Sequence, residues 1–159
     1  MTTSNALVVT AEPGVPFVGM VREVDATVAD VYRAYTEPDL VRQWLGPRNL
    51  EMEIASWDAR TGGSWAFTHI DPDGVRYGFR GVFHTIVENE LIIQTFEFLG
   101  APNEVSLDRM RFEALPGGRS RLAGRSVFTS AEALEEMIAS GMEYGVREGY
   151  EKLDELLAR

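Results

Sequence analysis

Residues 130–159 read SAEALEEMIASGMEYGVREGYEKLDELLAR, and the way this stretch folds decides what the rest of the chain is arranged around. At about 100° per residue, Leu134, Ile138, Met142, Leu153 and Leu156 fall on one side of a helix. Gly141, Gly145 and Gly149, spaced four apart, fall in the middle of that same side. A core-facing stripe normally carries its largest side chains there. Each interior glycine costs about 1 kcal/mol relative to alanine, so three in a row call for a reason. Either a neighbouring strand approaches the helix backbone closely, or space is left open for something that is not protein. Ser130 is the expected N-cap, with Ala133 where a capping-box glutamate would sit. Glu132, Glu135, Glu136, Glu143 and Glu151 lie mainly opposite the glycines, as a solvated face.

Working back from this helix, the preceding 80 or so residues alternate like strands. Leu50, Met52 and Ile54 alternate with glutamates, and Trp65, Phe67 and His69 share one face. Tyr77, Phe79 and Phe83 lie on a long strand after the Asp71-Pro72-Asp73-Gly74 turn. Runs at 91–99, 105–114 and 119–129 follow, joined by turn residues. Near the amino end, 6–10 and 17–24 are two further strand candidates. Asp25 or Thr27 can cap a helix over 28–37. Glu37-Pro38 ends it, and a second short helix covers 39–45 until Gly46-Pro47. The expected fold is α+β, a helix grip. A curved antiparallel sheet of about six to seven strands wraps a long C-terminal helix, with two short helices after the first long strand. One domain over residues 1–159 is the simplest organisation.

Composition narrows the function. The chain has 159 residues, is 45% hydrophobic and 25% charged, and carries a net charge of −10, which is globular composition with an acidic surface. Such a surface repels phosphate backbones and anionic headgroups, so nucleic-acid and membrane partners are disfavoured. There are no cysteines, which excludes disulfides, thiolate metal sites and a cysteine nucleophile. The amino terminus lacks a basic, apolar leader pattern, and no apolar run reaches membrane-spanning length. The expectation is a cytoplasmic protein without membrane insertion.

Chemistry-bearing residues are few. No hydrolase elbow, phosphate loop, dinucleotide fingerprint or metal-ligand spacing is present, and no cofactor or metal is expected. His69, on an inward strand face, is the one candidate acid or base. The simpler reading makes it a polar strand-end residue bonded near the Asp71 turn. His84 points outward. Asp108, Arg109, Arg111 and Arg125 sit on adjacent strands, where charges usually pair across a solvated face. An inward Asp108 or Arg125 would instead need a partner or would orient a ligand.

Four segments together resemble a known family: REVDATVADVYRAYTEPDLVRQWLGP (22–47), TGGSWAF (61–67), GFRGVFHTIVENELIIQTFEF (78–98) and GMEYGVREGYEKLDELLA (141–158). They look like the SRPBCC superfamily, the START-like, helix-grip group that also holds polyketide cyclases and the birch-pollen allergen. Within it the chain most resembles bacterial homologues of the C-terminal domain of the heat-shock-protein ATPase activator, over residues 17–159. The resemblance implies a hydrophobic cavity between the long helix and the sheet. Relatives usually carry Trp-Trp-Gly-Pro after the second helix and a Trp after the glycine at 145. Here those positions are Leu45 and Val146, so a cavity they face would be roomier and more aliphatic.

Three functions follow as expectations. The first is binding of a hydrophobic or amphipathic small molecule, with Trp44, Leu45, Trp65, Phe67, His69, Tyr77, Phe79, Phe96, Met110, Phe112, Gly141, Met142, Gly145 and Gly149 as candidate lining. The second is a cyclase- or hydrolase-type enzyme on an aromatic or polyketide-like substrate, with His69 as acid or base. The third is a chaperone-associated interaction protein. Self-association into a homodimer is left open.

Overall fold

The computed structural model describes residues 5–159; residues 1–4 of the amino-terminal segment lie outside them. The elements run β1 (Val8–Ala11), β2 (Phe17–Val24), α1 (Val28–Thr36), α2 (Pro38–Trp44), β3 (Glu51–Trp57) and β4 (Ser64–Ile70). They continue as β5 (Arg76–Val87), β6 (Leu91–Phe98), β7 (Val105–Leu115), β8 (Arg119–Val127), α3 (Ala131–Ala139) and α4 (Met142–Leu157). The strands form one eight-stranded sheet in the order β1-β2-β8-β7-β6-β5-β4-β3, with every neighbouring pair antiparallel. Eight strands exceed the six or seven expected, because the short amino-terminal run also pairs, Val8 opposite Val21. Register shifts between Ile54 and Ser56 and between Phe83 and Thr85 mark bulges, which bend a strand and increase its twist.

Local chemistry explains the helix ends. The Thr27 side chain accepts from the Asp30 amide at 3.3 Å and starts α1. Pro38 takes the first turn of α2, where its lost N–H is not needed. Ser130 Oγ accepts from the Ala133 amide at 3.0 Å and starts α3.

The last stretch is not one helix. Ser140 closes α3, and Gly141 sits at φ +92°, left-handed geometry that favours glycine, as the residue before α4. The turn offsets the two helices, so the single stripe expected over 134–156 does not hold. Leu134 and Leu153 are buried, while Ile138 is 41% exposed.

The glycine row divides: close approach holds at Gly149 alone, and from a loop where a strand was expected. A Cβ on Gly149 would lie 3.2 Å from the Trp44 carbonyl oxygen and 3.3 Å from the Gly46 amide nitrogen. What approaches α4 there is the loop leaving α2, not a strand. A Cβ on Gly145 would meet only Pro47, at 3.6 Å, and one on Gly141 nothing within 4 Å.

Packing of α4 is chiefly against α2, with α1 and α3 beside it. Arg22, 3% exposed on β2, ties it down: Nη2 donates to Asp154 Oδ1 at 2.6 Å and Nη1 to the Tyr150 carbonyl at 3.3 Å. Trp44 is the other tie, stacked on Tyr150 and donating Nε1 to the Ala34 carbonyl at 2.8 Å. Because the α2 loop and these two residues hold the helix, α4 stands over the sheet with a hollow beneath it.

Candidate ligand cavity

That hollow is a cavity of about 930 Å³. Its floor is the inward face of β4 to β8, and its roof is the α3–α4 corner together with residues 44–50. Strand alternation sends Phe67 and His69 from β4, Tyr77 and Phe79 from β5, and Phe96 and Phe98 from β6 to one face, where their rings pack. Phe67 stacks on Phe79 at 5.0 Å between centroids, and His69 leans on Phe67 at 4.9 Å.

Most of the expected lining residues do line this cavity: Trp44, Leu45, Phe67, His69, Tyr77, Phe79, Phe96, Met110, Gly141, Met142, Gly145 and Gly149. Trp65 and Phe112 do not. Trp65 is 2% exposed and packs against Trp57 and Phe96, with its indole edge over Gly81, where a Cβ would come within 2.5 Å of Cζ2. Phe112 is taken up edge-on by Tyr32 and Tyr35 of α1. In both cases a large ring at the end of an inward row meets a neighbouring element before it meets the hollow. Leu45 and Val146, the two positions where aromatic volume is absent, both face the cavity.

His69 is not the strand-end residue bonded to the Asp71 turn. Tyr77 fills that role, its hydroxyl donating to Asp71 Oδ2 at 3.3 Å, while Asp71 Oδ1 accepts from the Asp73 and Val75 amides. The imidazole is 6% exposed and its Nε2 has no hydrogen-bond partner among the described residues. Gly46 presses on it so closely that a Cβ there would lie 2.5 Å from Cε1. Burial pushes the His69 pKa down, a backbone hydrogen bond to Leu45 pulls it partly back, and Lys152 adds to the lowering.

This has a measurable consequence. Above the ordinary value of 6.5, neither folded nor unfolded chain protonates this ring. As pH falls below it, the unfolded chain takes up a proton that the folded protein resists, so stability is lost toward the lower folded value. Urea midpoints at pH 7.5 and pH 5 should therefore separate more for the native chain than for His69→Phe. Equal separation would show that the imidazole is not held neutral.

The charged strand residues divide by alternation. Arg109, Arg111 and Arg125 are exposed on the outer face, and the Arg125 guanidinium lies 4.1 Å over the Phe17 ring. Asp108 faces inward, against the expectation of a solvated cross-strand pair. Burial pushes its pKa above the ordinary carboxylate value, and hydrogen bonds with Ser126, with Ser106 Oγ at 3.0 Å and with Gln94 offset only part of that rise. Gln94, Ser106 and Ser126 were not among the candidates. Their signal was available, since they stand at even spacing from the inward Met110 and Phe96 on paired strands.

A family model described as Activator of Hsp90 ATPase homolog 1-like protein matches residues 25–158. The fold is shared with solved bacterial proteins. One from Arthrobacter aurescens, determined by solution NMR, is 25% identical with a TM-score of 0.87, over 95% of this chain and 91% of that chain. A crystal structure from Rhodobacter sphaeroides is 24% identical with a TM-score of 0.85, over 95% and 99%. Another, from Mycobacterium smegmatis, is 21% identical with a TM-score of 0.85, over 96% and 97%. Among curated proteins none matches the sequence. No helix among the described residues is long and apolar enough to cross a membrane.

Proposed function

We propose, from the premise that this chain belongs to the Activator of Hsp90 ATPase homolog 1-like family, that it is a small-molecule binding protein holding a hydrophobic or amphipathic ligand between α4 and the sheet. The observation that carries this reading is the cavity itself. Its volume of about 930 Å³ lies within the roughly 300–1,000 Å³ typical of ligand sites, and its walls are mainly aromatic with a few converging polar groups. A protein-interaction role would need no hollow between helix and sheet. Glycines in α4 that cost helix stability are consistent with a helix shaped for the cavity, since Gly145 borders it with only Pro47 nearby.

Gly145→Leu tests the reading. The added side chain meets no backbone at its Cβ and gains helix propensity, so the melting temperature should stay within a few degrees. Leucine would project into the hollow, and the neutral fluorophore N-phenyl-1-naphthylamine should bind at least about tenfold more weakly than to the native protein. Unchanged affinity in the variant, or no fluorophore binding by the native protein, would sink the proposal.

A further inference from the structure

Across the cavity floor, Gln94 of β6, Asp108 of β7 and Ser126 of β8 stand opposite one another in register. Ser106, two residues before Asp108, completes the group by donating to Oδ1 at 3.0 Å. All four border the cavity, among Phe96, Met110 and other apolar residues. Asp108 is enclosed by the wall, and the surface it still exposes opens on the cavity. Its protein partners are hydroxyls and an amide, all neutral. It makes no salt bridge among the described residues. Arg109 and Arg125, beside it in sequence and register, also border the cavity, but strand alternation turns their side chains to the outer face, where the Arg125 guanidinium lies over Phe17. Among the described residues the only other carboxylate bordering the cavity is Asp71, which already accepts two amide hydrogen bonds from its own turn and one from the Tyr77 hydroxyl.

A carboxylate in an apolar cavity without a counter-charge is costly, because neutral donors repay only part of its lost hydration. A cation brought by a ligand would recover that cost, and the attraction would be strong in so apolar a setting. A neutral hydroxyl could donate to one oxygen but would leave the charge uncompensated. A ligand carboxylate, sulfate or phosphate would be repelled. Aromatic walls also favour an organic cation over a bare metal ion.

We infer that the ligand is a cationic amphiphile, an apolar body carrying a protonated amine, and that Asp108 pairs with the amine. The inference rests on the cavity being a binding site, and the experiment separates the two. Decylammonium, decan-1-ol and decanoate share one apolar tail and differ in head group. Each is titrated calorimetrically into the native protein and into Asp108→Asn, at 0.15 M salt to screen the acidic surface, with N-phenyl-1-naphthylamine as competitor to place binding in the cavity. Asparagine keeps the shape and sheds the buried charge, and retained decan-1-ol binding reports that the fold persists.

The native protein should prefer decylammonium to decan-1-ol by about tenfold or more, with decanoate weakest. In Asp108→Asn the preference should vanish while decan-1-ol affinity changes less than about threefold. If decan-1-ol binds the native protein as well as decylammonium does, the amine assignment is wrong and the cavity reading stands. If the preference survives in Asp108→Asn, the attraction comes from elsewhere and the role of Asp108 is wrong. If none of the three displaces the bound fluorophore, the cationic-amphiphile assignment falls while the cavity reading stands; if the native protein binds no fluorophore, both readings fall.

Discussion

Replacing Trp44 by alanine is expected to lower the unfolding free energy by about 3–5 kcal/mol, the usual cost of removing a buried aromatic side chain. The residue is 4% exposed and joins three helices at once. Its ring lies 4.8 Å from Tyr35 of α1 and is stacked 6.2 Å from Tyr150 of α4, and its Nε1 reaches back to the Ala34 carbonyl at 2.8 Å. Removing it leaves a cavity, an unpaired carbonyl and a loosened α4. Trp44→Phe keeps most of the packing and strands the carbonyl alone, so it should cost about 1–3 kcal/mol. Urea denaturation of both variants distinguishes the two contributions. A loss below about 1 kcal/mol for the alanine variant would mean that α4 is not held through this side chain.

Gly46→Ala should be almost as damaging despite adding one methyl group, at about 2–4 kcal/mol. Two effects combine. The residue lies at φ +92°, where a side chain is strained, and its Cβ would fall 2.5–2.6 Å from the His69 ring. The loop cannot retreat, because its backbone already touches Gly149 on the other side. Helix, loop and imidazole thus form a three-layer contact in which neither glycine leaves room for a side chain. A double-mutant cycle tests the arrangement. With His69→Ala in the background, the steric part should disappear and only the backbone strain remain, so the two substitutions should be non-additive by 1 kcal/mol or more, within the range of about 0.5–3 kcal/mol for residues in contact. Additive costs would show that the ring and the loop are not in contact.

Both results would also bear on the cavity, since Trp44 and Gly46 set the height of α4 above the sheet. These two residues therefore shape the cavity as well as border it. Asp108 stands in a different relation to the cavity: an inward carboxylate held by Ser106, Ser126 and Gln94, whose proposed role is tested by the amine titration.

The strands, their turns and the two short helices were legible because their causes are local. Alternation at 50–54 and 65–69, the Asp71 turn, Pro38 and the caps at Thr27 and Ser130 each act within a few residues. The same alternation assigned most of the lining residues to the face under α4. What it could not supply was where the inward rows end. Trp65 and Phe112 obey the pattern and still miss the cavity, because Gly81 and the α1 tyrosines reach them first. Helical periodicity likewise ran straight through Gly141, since a left-handed residue breaks a helix without disturbing its spacing in sequence. The sequence by itself determined an acidic, cysteine-free antiparallel sheet with a glycine-rich helix to cover it. Only the tertiary structure decided what those glycines face. That choice depends on contacts between residues about a hundred positions apart, Gly46 against Gly149 and Pro47 against Gly145, and no local pattern records them.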